Sequence, residues 1–321
     1  MVWNVSISLI CMIAAAMFLR SDVTQAQERR TPPPRQQMVW VDRGGNVLEK
    51  IGDAQAIITG PILSPDGNMI AVRGRNIRDG DDDIWVYDLR RNVKLQATRH
   101  PSNERQPAWS PNSSSIVYFS YRNGPANLYM VSEGSNAERA FLLTPHETYA
   151  PTWSSDGKYI LYHYHDQTDT LHDNRDLWYV DVEERTPIQF TNTPTFKEAM
   201  PRFSPDGNYV AYIADETGKW DAYVKAFPDG RRVKISVDGG VWPRWNGKGD
   251  EIYFWQGNDL VVVSTTTTPE FSVSTPEVLF SGKKVGMGPR AVIGFNTLYE
   301  VAPDGQTFIV VQNSLMPRRD Q

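Results

Sequence analysis

Hydrophobic and polar positions alternate along this chain in short runs that return with little change. The stretch PRFSPDGNYVAYI, 201–213, has close copies starting at Pro61, Pro107, Pro151 and Pro243, and a worn one, YEVAPDGQTFIVV, starting at Tyr299. A leading proline cannot donate to a ladder, so it suits the start of a strand. Two positions on stand Trp109, Trp153, Phe203 and Trp245, with Leu63 and Val301 in the same register. The tetrapeptide SPDG then fits a type I turn closed by a residue at positive φ, the geometry of a hairpin. Beyond it Ile70, Ile116, Ile160, Val210, Ile252 and Phe308 share one offset, with Val72, Tyr118, Tyr162, Tyr212, Phe254 and Val310 two further on, the period of a strand. A third strand begins at Asp83, Asn127, Asp176, Asp221 and Asp259, and a short fourth, such as KLQATR or PIQFTN, precedes the next copy.

Four short antiparallel strands with both faces apolar describe a blade that must be sandwiched between neighbours. Six such units of about 45 residues predict an all-β fold, a six-bladed β-propeller with four-stranded blades. The sixth copy has only two strands before Gln321. The N-terminal stretch MVWVDRGGNVLEKI supplies the other two, 38–42 as the third strand and 47–51 as the outer one, so both termini share the last blade and no open edge remains. The expected ring is 38–313, followed by a C-terminal tail, 314–321.

Ahead of the ring, 5–19 is an apolar run whose only polar members are Ser6 and Ser8, and Thr24-Gln25-Ala26 suits cleavage before Gln27. Residues 1–26 therefore read as a signal peptide and the mature protein as periplasmic or secreted, although no Lys or Arg precedes the run and Arg20 follows it. The run is shorter than the roughly 20 residues that span a bilayer, so no membrane span is expected in the mature chain. QERRTPPPRQQ, 27–37, is a proline-rich lead-in. With a net charge of -5 and no basic run longer than a pair, nucleic acid is not an expected partner. The single cysteine, Cys11, lies in the apolar run, which leaves the rest of the chain without disulfides or thiolate metal sites.

The repeats SPDG, IAY and DIWVYDL resemble the WD-like repeat of TolB-type six-bladed propellers. The order VWVDRGG, FSPDGNYVAYIADETGKWDAYVKAFPDG, GGVWPRWN is similar to propellers fused to bacterial serine/threonine kinases. The likeness covers about 38–313 and rests on turn and packing positions, so it is specific for fold and poor for function. It implies a bacterial, exported binding or sensing module; nothing here matches the α/β domain of TolB or a kinase, so neither role is carried over. The same repeats occur in prolyl-oligopeptidase-like peptidases, whose nucleophile elbow, G-x-S-x-G, does not occur in this chain.

Loops of all six blades converge only at the channel mouths, where binding chemistry must sit. The segments NERQP, HETYAP, FKEAMP and GGVWP place Glu104, Arg105, Glu147, Tyr149, Glu198 and Trp242 around one mouth, with Arg202 and Arg244 just past the leading prolines. Aromatic anchors and charges of this kind suit recognition of a protein, a peptide or a small ligand. An ordinary polar rim, and for the arginines a structural pairing with a carboxylate, are the plainer readings. In HYHDQTDTLHDNRD, His163 and His165 alternate onto one strand face, followed by Asp166, His172 and Asp173; this set would hold Zn²⁺ or another divalent ion, or be a solvated insertion. HETYA at His146 lacks the second histidine of H-E-x-x-H, and DGDDD, 79–83, is either a Ca²⁺ attractor or a solvated acidic loop. The reading is an exported, monomeric, non-enzymatic propeller, without cofactor or metal, that binds its partner at one mouth. The alternative is a propeller enzyme, a saccharide lyase or hydrolase, metal-assisted, with a site built on the rim.

Overall fold

The computed structural model describes residues 35–75, 80–132, 134, 135, 137–168, 175–193, 195–268, 270–287 and 295–314. Within them the regular structure is all strand, arranged in six antiparallel sheets. The innermost strands, first blade to sixth, are Ile58–Leu63, Glu104–Trp109, Glu147–Trp153, Glu198–Phe203, Val241–Trp245 and Tyr299–Val301. Each is followed outward by the strand beyond the turn and then by the third and fourth strands, and in the fifth blade the outer position is taken by Glu277–Ser281.

The turn chemistry is as the sequence predicts. Gly67 donates its amide to the Ser64 carbonyl at 2.8 Å with φ of 73°, and Gly157 and Gly207 repeat the bond to Ser154 and Ser204. The Ser64 hydroxyl donates to Asp66 and accepts from the Met69 amide, which closes the hairpin from the side. In the second blade Ser113 stands in the glycine's place and is held at φ 59°.

The last blade has the order Val47–Gln55, Arg35–Asp42, Thr307–Ser314, Tyr299–Val301, so the N-terminal strands complete it as expected. The ladder between Arg35–Asp42 and Thr307–Ser314 runs without a break from Arg35 opposite Ser314 to Asp42 opposite Thr307. It starts three residues earlier than the hydrophobic pattern implies, because a polar residue is fastened there. Gln37 is buried, and its amide donates to the carbonyls of Met38, Ile51 and Gly52 at 2.9, 3.0 and 3.0 Å.

The core lies between blades. Tyr118, Tyr162, Tyr212 and Phe254, at one repeat offset, have no exposed surface. Two of the three tryptophans two residues past the proline also reach back to the preceding blade: Trp109 Nε1 donates to the Ile62 carbonyl at 3.2 Å and Trp245 Nε1 to that of Arg202 at 3.3 Å. Sequence identity at these offsets is thus set by the neighbour as much as by the strand.

Candidate functional site

At one end of every blade, the start of the innermost strand, the end of the second and the start of the third lie side by side. Glu104 sits opposite Ser120, which in turn sits opposite Asn127, and Glu198 sits opposite Ala214, which sits opposite Asp221. Just inside this end each of the first five innermost strands carries a bulge at the residue before its proline. Gly60, Gln106, Ala150, Met200 and Trp242 have φ of 63°, 51°, 48°, 58° and 57°. Proline disfavours a right-handed helical conformation before it, and the left-handed one costs a non-glycine residue on the order of 1 kcal/mol. Four non-glycine residues hold it here, which re-aims their side chains at the axis.

The axis is crossed at this level. Gln106 accepts from the Ala150 amide at 2.8 Å, donates to the Phe295 carbonyl at 2.8 Å and lies 3.8 Å from Met200 Sδ, tying the second, third and fourth blades to the segment before the sixth. The Phe295 ring is 5.6 Å from His163 and 5.7 Å from Trp220, with the Arg175 guanidinium 5.0 Å from its centroid. Tyr149 packs edge-on to Phe119 at 4.9 Å and against His163 at 5.0 Å, and its hydroxyl is 3.4 Å from that of Tyr121. Tyr149, Trp220 and Phe295 are half-buried, so they form a floor that still meets solvent. Gln106, Trp220 and Phe295 were not among the residues singled out from sequence. The X-Pro position of Gln106 was a usable signal; Phe295 stands in the long interval before the sixth copy, where no repeat offset applies.

The expected site residues divide by burial. Glu104 is wholly buried, accepting from Ser120 Oγ at 2.9 Å and from Arg122 at 3.2 Å, and Arg122 also pairs with Glu138. Burial pushes the Glu104 carboxyl up to about 8 against the pull of Ser120 and Arg122. Glu198, also wholly buried, is pushed up to about 7 by burial, with Arg232 3.8 Å away. Glu147 pairs with His165 Nδ1 at 3.2 Å, and Arg105, a third exposed, pairs with Asp82 at 3.1 Å. Tyr149 and Arg105 are therefore the members that keep exposed surface.

Two members do not. Trp242 has no exposed surface and belongs to the core cluster with Ala199, Met200 and Tyr299, so it offers nothing to a partner. Its positive φ turns the indole inward instead of onto the rim. Arg244 is buried past the bulge, where Nε donates to Glu300 of the next blade at 3.0 Å; it is a structural pair.

His163 is buried with its pKa held well below the usual histidine range by burial and by the nearby Arg175, so it stays neutral. His146 lies 2.8 Å from Asp166, while His172 and Asp173 fall outside the described residues. No group of three or more His, Cys, Asp or Glu that could hold a metal ion is found among the described residues. In DGDDD, Asp79 is outside the described residues, and Asp82 and Asp83 are buried on a strand, not solvated in a loop. A groove of about 300 Å³ between the second and third blades, lined by Asn112, Phe141, Trp153, Arg139 and Arg185, lies at the opposite, turn-bearing end.

A family described as TolB beta propeller domain matches residues 36–171, and one described as the dipeptidyl peptidase IV N-terminal region matches residues 154–253. The Tol-Pal system protein TolB of Francisella tularensis is 27% identical over 209 residues, 63% of this chain and 47% of that protein. The chain thus spans about half the length of that relative. The structure of putative TolB from Agrobacterium tumefaciens has a TM-score of 0.66 at 16% identity, covering 88% of this chain and 99% of that one. Oligogalacturonate lyase in complex with manganese has a TM-score of 0.53 at 17% identity, covering 67% of this chain and 64% of the lyase. At these identities the structural likeness is one of fold.

Proposed function

We propose that this TolB-like propeller is an exported, non-enzymatic binding module whose bulge-bearing mouth holds a peptide segment of a protein partner. The observation that carries the reading is the half-buried aromatic floor of Tyr149, Trp220 and Phe295, assembled from two blades and the segment before the sixth, together with the partly exposed Arg105. Aromatic side chains with few rotatable bonds and one wet edge suit anchoring of a peptide, and an arginine adds direction. Export rests on the apolar run 5–19 and the Thr24-Gln25-Ala26 site. The TolB relative, named for the Tol-Pal system, supports a role within an assembly of proteins.

The test is affinity capture from extract of the source cell with the mature chain and with Tyr149→Ala/Phe295→Ala. The double variant should lose the captured partner while its melting temperature stays within a few degrees, since neither side chain is fully buried. The same preparations are assayed for metal content and for cleavage of oligogalacturonate. Equal capture by both chains, or turnover abolished by His165→Ala, would give the mouth to another function.

A further inference from the structure

Charge is unevenly shared around the mouth. In the second blade one guanidinium, Arg122, serves two carboxylates, Glu104 and Glu138, and in the fourth Arg232 serves Glu198 and Glu216. Between the first and second blades the ratio reverses. Asp82, with no exposed surface, takes Arg73 Nη2 at 2.6 Å and Arg105 Nη2 at 3.1 Å on one oxygen and Arg75 Nε at 3.2 Å on the other. Asp83, next along the strand, points to the opposite face and takes the Gln96 amide at 2.9 Å. Three guanidiniums thus converge on the one carboxylate of Asp82. The strain of it shows on Arg73, whose pKa is lowered first by burial and next by the Arg105 charge.

Nor are the donors used up. Arg73, whose side chain is nine-tenths buried, leaves Nε without a partner, as does Arg105, while the side chains of Arg75 and Arg105 are 44% and 31% exposed. Asn296 accepts from Arg73 Nη1 at 3.2 Å, which sets the cluster beside the Phe295 segment at the axis. Anchoring Asp82 alone would need a single arginine.

We propose that Arg73, Arg75 and Arg105 form a carboxylate-binding site on the rim of the mouth, taking either an acidic side chain or the free C-terminus of the bound peptide. The site rests on the peptide-binding reading above and names the chemistry that the mouth selects. Planar guanidinium forks match the two oxygens of a carboxylate, and they act from a partly desolvated wall where the attraction is little screened.

The full chain is titrated by calorimetry with succinate and with inorganic phosphate. It is also offered an array of peptides with aspartate or asparagine at each acidic position and with free or amidated C-termini. Succinate should bind, and carboxylate-bearing peptides should be retained at least about tenfold more than their neutral counterparts. Both should be lost in Arg75→Gln/Arg105→Gln, which leaves Arg73 to hold Asp82 and should melt within a few degrees of the parent. A loss on amidation assigns the C-terminus; a loss with asparagine assigns the side chain. Indifference of the double variant, equal retention of neutral and acidic peptides, or phosphate preferred with no taste for acidic peptides would each overturn the proposal. Succinate bound through the arginines with no peptide retained keeps the carboxylate site and sinks the peptide reading. Peptides retained through Tyr149 and Phe295 whatever their charge does the reverse.

Discussion

Trp242 shows how a residue's chemistry can be read correctly and its role missed. A tryptophan before proline in a connecting segment has the composition of an anchor, yet the bulge turns it into the core. Trp242→Ala should therefore cost about 3–5 kcal/mol and lower the melting temperature by several degrees, read by calorimetry, with weaker binding only in proportion to unfolding. Glu198 makes a different prediction. Its pKa rises from an ordinary 4.5 to about 7 through burial. Below 4.5 both folded and unfolded chains hold the proton, and between 4.5 and 7 only the folded chain does. The stability it contributes is complete below the lower value and is lost as pH rises through the upper one. Urea midpoints across this window should fall with pH, and Glu198→Gln should flatten that slope; an unchanged slope would assign the titration elsewhere.

At the scale of elements, the repeat is held by a hydrogen-bond unit as much as by packing. Ile84, Leu177 and Ala222 donate their amides to the hydroxyls of Thr98, Thr191 and Ser236 at 2.9, 2.9 and 3.0 Å. The polar residue that opens the third strand takes the next connection: Asn127 accepts from the Thr144 amide at 2.7 Å and Asp221 from that of Gly239 at 3.1 Å. Acidic residues at this offset are thus structural, which separates Asp83 and Asp221 from the clustered Asp82. The closing strands matter more widely. Arg43, in the turn after Arg35–Asp42, pairs with Glu251 and donates to the Tyr253 hydroxyl and the Gly305 carbonyl at 2.9 Å each, clasping the fifth blade. Removing 35–55 should strip two strands, unpair the edge of Thr307–Ser314 and abolish the cooperative transition, whereas a chain beginning at Arg35 should melt as a ring. Similar unfolding curves for the two would contradict closure by the shared blade.

For the whole molecule, the repeat places six innermost strands around one axis, and the bulges mark one end where charges gather unevenly: three guanidiniums on Asp82 between the first and second blades, with carboxylates paired in the second to fourth. The ring, its blade count, its hairpin turns and its closure were legible in the chain. They depend on local rules, a period of two, a proline at a strand start and a residue at positive φ in the turn, that act within a few residues and return from copy to copy. The place of Arg105 and Tyr149 near the leading end of their strands was legible from their offset to the proline. What only the tertiary structure decided was which side chains the mouth displays. Trp242 turned inward at its bulge, Arg244 met Glu300 across a blade boundary, and Phe295 came to Gln106 from 189 positions away. Burial and charge pairing are properties of neighbours, and in a ring the neighbours of a residue lie a full blade or more away along the chain.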